Sequence, residues 1–61
     1  MVEFLRNLMH ENARIRVLLG DVAVYATITR VDNDLVQMDI YDHPAGVTVI
    51  ITHTHNVVVV A

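Results

Sequence analysis

Val22-Ala23-Val24-Tyr25-Ala26-Thr27-Ile28-Thr29-Arg30-Val31 is the stretch whose reading decides the fold. Its β-branched residues favour extended backbone, and Val24, Ala26 and Ile28 recur at every second position, the period of a strand with one buried face. The run ends in Asp32-Asn33-Asp34, three turn-favouring residues in a row. A long strand between tight turns is the spine of a small β-protein, and the flanking sequence fits that reading.

Downstream, Leu35 to Tyr41 reads as the next strand, and Asp42-His43-Pro44-Ala45-Gly46 as a loop, since Pro fixes φ and Gly relaxes it. Val47 to His53 and Asn56 to Val60 supply two more strands. Upstream, Ile15, Val17 and Leu19 alternate with Arg14 and Arg16, a half-buried strand that ends at the turn Gly20-Asp21. Before it the period changes. Phe4, Leu5, Leu8 and Met9 form one stripe of a helix over Val2 to Asn12, too short to stand alone. Phe4, Leu5 and Leu8 are expected to pack it on the open end of a barrel. The architecture predicted for residues 1–61 is therefore a single mainly β domain. Its helix covers about residues 2–12, and five strands over residues 13–60 form a small, strongly bent barrel of SH3 type.

The chain is small for its hydrophobicity. It has 61 residues, 54% of them hydrophobic, and no cysteine to staple it. Domains of this size bury only about 60% of their unfolded surface and usually need disulfides, metals or partner subunits. Val57, Val58, Val59 and Val60 would make a terminal strand apolar on both faces, and an edge of that composition aggregates unless it is paired. These four valines are the expected interface of a homo-oligomer. A head-to-tail contact of this kind closes into a ring, expected here to have five to seven subunits.

Charge restricts the partners. The formal net charge is −3, and all four basic residues are arginines: Arg6, Arg14, Arg16 and Arg30. Phosphate binding rests on Lys and Arg, so any nucleic acid must be held by a local patch or by base contacts. The N-terminus lacks the pattern of a signal peptide, and no apolar run approaches the roughly 20 residues that span a bilayer. A soluble, cytoplasmic protein without membrane contact is expected.

The order of helix and strands resembles the Sm-like family, and within it the bacterial Hfq-type RNA chaperones. Phe4-Leu5-x-x-Leu8-x-x-Glu11 is similar to their N-terminal helix. Val24-x-Ala26-x-Ile28-x-x-Val31-Asp32, continued by Leu35-Val36-x-Met38, is similar to the first Sm motif. His53-x-His55-Asn56-Val57-Val58-Val59 falls where the second motif lies. The resemblance covers nearly the whole chain, and it implies a ring that binds short single-stranded RNA through its pore loops. There are departures. Ala26 stands where the family usually has Gly, Asp34 where RNA-binding members carry an aromatic residue or His, and Val36 where archaeal and eukaryotic members carry Asn. Thr52 or His53 replaces the second motif's basic residue, and the family's basic rim patch reads Met9-His10-Glu11-Asn12. The uridine pocket of the family is not intact here.

The candidate RNA-binding residues are Asp32, Asn33, His53, His55 and Asn56, in the loops Asp32 to Leu35 and Thr52 to Asn56, reading bases by hydrogen bonds in the absence of aromatic stacking. Asp32 resembles the aspartate that orders this loop in the family, although Asp32, Asn33 and Asp34 also fit a plain turn. His53 and His55 have a spacing compatible with metal ligation, but no third ligand is spaced to join them, so no metal or other cofactor is expected. Arg14 and Arg16 can meet RNA phosphates or a partner's acids, against the plainer reading of a solvated face. No nucleophile–base spacing, phosphate loop or cysteine supports catalysis, so an enzyme is not expected. The second functional reading is a ring that scaffolds other proteins and has lost RNA affinity.

Overall fold

In the computed structural model, which describes residues 2–60, helix α1 (Val2–His10) is followed by β1 (Arg14–Leu19), β2 (Val22–Val31) and β3 (Leu35–Tyr41). β4 (Val49–His53), a 3₁₀ turn at Thr54–Asn56 and β5 (Val58–Val60) complete it. The helix stops at His10, two residues short of the expected end at Asn12. Asn12 takes a left-handed conformation (φ 51°), and its N–H donates to the Met9 carbonyl while that of Ala13 donates to Leu8, each at 3.1 Å. This paired closure satisfies the last carbonyls of the helix and turns the chain into β1.

The stripe itself is centred differently from expectation. Leu5 is fully buried and Val2, Leu8 and Met9 pack around it, whereas Phe4 remains 48% exposed. Successive helical residues are turned by about 100°, so Phe4 cannot share the face that Leu5 points into the core. The packing expected of Phe4 is therefore corrected to Val2, Leu5, Leu8 and Met9, on a helix that rests chiefly on β2.

The five strands form one antiparallel sheet in the order β4-β3-β2-β1-β5. It is compatible with a small barrel but does not close: β4 and β5 each keep a free edge. β1 and β2 are joined by Gly20-Asp21, with Leu19 opposite Val22 and Gly20 at φ 63°, a positive angle that suits glycine in a two-residue hairpin. The inner face carries Val17, Val24, Ala26, Ile28, Val36, Met38 and Ile40, all at most 5% exposed.

β2 breaks its own alternation once. Ile28 pairs with Met38 but Arg30 pairs with Gln37, leaving Thr29 as an extra residue. Such a bulge bends and twists the strand. Its consequence is visible in burial: Val24, Ala26 and Ile28 face inward at period two, and Val31, three residues further on, is buried again. The Thr29 hydroxyl donates to the Gln37 carbonyl at 3.2 Å across the irregularity. The departure from regular pairing lies at Thr29 and not at Ala26, which is itself fully buried.

The two C-terminal strands are shorter than their composition predicts. β4 starts at Val49, although the Thr48 carbonyl still accepts the Ile40 N–H at 2.8 Å. Thr54–Asn56 forms a 3₁₀ turn, and Val57 after it is buried in the core of its own chain. Of the four valines expected at the interface, Val57 is the one buried within its own chain. Val58 is 51% exposed and Val59 and Val60 are half-buried, so only these three lie along the sheet's edge.

The accessible surface is 3995 Å², close to the roughly 4,000 Å² typical of a compact monomer of this mass. Loose packing therefore does not explain the apolar surface. It lies in particular side chains: Phe4, Tyr25, Leu35, Val49, Ile51 and Val58 are each at least 42% exposed. If Leu5 anchors the helix, Leu5→Ala costs about 3 kcal/mol in urea unfolding and Phe4→Ala under about 1 kcal/mol. Equal losses would show that the stripe is centred as the sequence first suggests.

Candidate nucleic-acid interface

The two loops read from the sequence do come together. Leu35, the first residue of β3, pairs with His53, the last of β4. Beyond that pair the Thr54 N–H donates to the Asp34 carbonyl at 2.8 Å, and the Asp32 N–H to the Leu35 carbonyl at 2.8 Å. Asp32, Asn33, His53 and His55 are all exposed around this junction. His53 closes β4 and His55 lies in the 3₁₀ turn, which brings their ring centres to 5.1 Å with the planes tilted by 37°. Asn56 is exposed too, and lines a groove of about 530 Å³ between β1 and β4, with Leu18, Gly20, Met38 and Ile50 among its walls.

The electrostatics of this cluster suit an anion poorly. Asp32 and Asp34 place two carboxylates there, and the one guanidinium nearby, Arg30, lies 3.4 Å from the Asp32 carboxylate. Both partners are well exposed, so the pair is weak. Among the described residues the Asp32 side chain makes no other polar contact, and the loop is ordered by backbone bonds.

A second surface collects what phosphate and bases require. In the sheet register Arg16 lies opposite Tyr25 and Tyr25 opposite Tyr41, one lateral row over β1, β2 and β3. Arg14 occupies the next row with Thr27 and Asp39. All of these share the outer face, because Val17, Val24, Ala26 and Ile40 take the inner one. The Arg14 guanidinium carbon sits 4.8 Å from the Tyr41 ring centre, reaching across β2, and that of Arg16 sits 6.0 Å from Tyr25. Cation–π attraction holds the two arginines over the sheet. A groove of about 400 Å³ lies alongside, lined by Arg14, Ile15, Arg16, Tyr25, Val59 and Val60, and runs to the free edge of β5.

Tyr25 and Tyr41 carry this surface and were not singled out in the sequence. Alternation with Val24 and Ala26 puts Tyr25 on the outer face, but only the cross-strand register shows that both tyrosines meet the two arginines. Asp39 on the same face leaves it two guanidiniums against one carboxylate.

Among the described residues no three His, Cys, Asp or Glu side chains gather to hold a metal ion, and no helix is long and apolar enough to cross a membrane. No family model, curated protein or solved structure matches the chain.

If the backbone orders the Asp32 loop, Asp32→Ala lowers stability by under about 1 kcal/mol in denaturant titration. A loss several times larger would restore to the carboxylate the ordering role that the resemblance implies.

Proposed function

We propose that the chain forms a homo-oligomeric ring of five to seven subunits that binds short single-stranded RNA, with the outer sheet face as its principal contact. The observation that carries this reading is the placement of Arg14 over Tyr41 and Arg16 over Tyr25. Single-stranded nucleic acid is held by cations along its backbone and by flat groups on which bases stack, and a guanidinium held over a ring supplies both. In an acidic protein this is the one face where two arginines meet both tyrosines. RNA is preferred over DNA because of the likeness of the Val24–Asp32 and His53–Val59 segments to the Sm-like motifs. The loop residues Asp32, Asn33, His53, His55 and Asn56 are secondary base contacts in this reading, since their surroundings are acidic. The lack of cysteine fits a cytoplasmic protein.

The two sheet edges support the ring reading. β4 offers one unpaired edge with Val49 and Ile51 exposed beside it, and β5 the other with Val58 exposed. Each can serve as the partner of the other on a neighbouring copy, a head-to-tail ladder that covers apolar surface at every joint. The groove beside Arg16 and Val60 runs to this joint, so assembly would set the RNA faces of successive subunits side by side. A ring that only scaffolds other proteins is the reading that remains if RNA does not bind.

Two measurements test this. Val58→Lys leaves the subunit folded, because the side chain is half exposed in the single chain, but buries a charge at the joint. Sedimentation should therefore show the ring replaced by folded monomers, and an undiminished ring would contradict the edge assignment. Fluorescence titration of labelled U-rich and A-rich oligomers at two salt concentrations reads the RNA site. Affinity should fall with salt, and Arg14→Ala/Arg16→Ala should weaken it at least tenfold, about 1.4 kcal/mol. Loss on His53→Ala/His55→Ala instead would move the site to the loops. No affinity for either oligomer would leave the scaffold.

A further inference from the structure

The 3₁₀ turn after β4 has a property that neither the ring nor the arginine–tyrosine face uses. His53 and His55 stand on either side of Thr54, and Thr54 is pinned: its side chain is buried, its N–H donates to the Asp34 carbonyl at 2.8 Å, and its carbonyl accepts the Val57 N–H at 3.3 Å. On a regular strand, side chains two residues apart stand about 7 Å from one another. The turn draws these two imidazoles to 5.1 Å between ring centres.

That separation has a chemical meaning. Two imidazoles bound to one ion at about 2.1 Å have their ring centres about 4.6 Å apart when the bonds meet at a right angle and about 5.3 Å apart at the tetrahedral angle. Both rings are exposed, so an ion reaches them without unfolding anything. The carboxylates of Asp32 and Asp34 belong to the adjoining loop and favour the approach of a cation. Arg30, the nearby guanidinium, is already beside Asp32.

We propose that His53 and His55 form a bidentate chelate for a borderline divalent transition metal such as Ni²⁺, Cu²⁺ or Zn²⁺, one ion per chain, with water completing the coordination. Imidazole suits these ions, while hard cations such as Mg²⁺ and Ca²⁺ prefer oxygen ligands. Because no third His, Cys, Asp or Glu joins the pair among the described residues, the site is an open and exchangeable one. It is distinct from the Arg14–Arg16 face, and because His53 and His55 are secondary base contacts in the RNA reading, it is tested in the absence of RNA.

The test is calorimetric titration of the metal-free, untagged full chain with NiCl₂, in the absence of RNA. The expected result is one Ni²⁺ per chain, with affinity at least tenfold weaker in His53→Ala and in His55→Ala alone, since either removes the chelate. His10→Ala and His43→Ala should leave binding unchanged, and MgCl₂ should give no heat of binding. All four histidines are outside the core, and the circular dichroism of each variant should match the parent. In NMR spectra, paramagnetic Ni²⁺ should broaden the amides of residues 53–55 and Asp34 first. Absent Ni²⁺ binding, binding insensitive to either single substitution, or equal losses in the His10 and His43 variants would overturn the proposal.

Discussion

β2 is the element on which the rest depends. It bonds β1 on one side and β3 on the other, it is the main support for α1, and it contributes Val24, Ala26, Ile28 and Val31 to the core. A flat strand of that length could not do all of this in so short a chain. The extra residue at Thr29 bends it, and the same insertion returns Val31 to the inside after two outward residues. The bend lets a single sheet wrap round its own core, with β3 and β1 carried along by their hydrogen bonds. Leu5 then covers what the sheet leaves open.

The cost of this economy is two unpaired edges. Sheet order places β4 and β5 at opposite ends, and a groove lined by β1 and β4 residues lies between them. Val57 turns inward and completes the core, while Val58 turns outward one residue later. The edge of the sheet is therefore apolar on its solvent side, as are Val49 and Ile51 on the far edge. Isolated edges of this kind promote unregulated association. Pairing each with its complement on another copy satisfies both in a closed assembly, and it is the physical basis of the ring reading.

Much of the fold was legible in the sequence because its signals are local. The bounds of β2 and β3 follow from alternation and from the Asp32-Asn33-Asp34 turn, and Gly20-Asp21 marks the hairpin before them. What escaped depends on information that no local window holds. The left-handed Asn12 ends the helix short of the expected bound, at His10. Phe4 looks like a stripe member beside Leu5, yet the side of the helix that meets β2 is fixed by tertiary packing. The four-valine run reads as one strand, but a 3₁₀ turn ahead of it shifts Val57 into the core. The loop site was legible as a pair of neighbouring turns, whereas the closeness of the His53 and His55 rings required the turn geometry. The arginine–tyrosine face was half legible: Arg14 and Arg16 stood out, but their partners come from strands nine or more positions away, through a register set by pairing.

The claim that joins these points is that the two edges of the sheet are a single ladder between copies. Amide hydrogen exchange on the protein at micromolar concentration tests it most directly. If β5 of one chain pairs with β4 of the next, amides across 49–53 and 58–60 are protected, including those directed away from β3 and β1, and dilution to monomer releases them. Protection confined to amides already bonded to β3 and β1, with the outward ones exchanging at unprotected rates at every concentration, would contradict it.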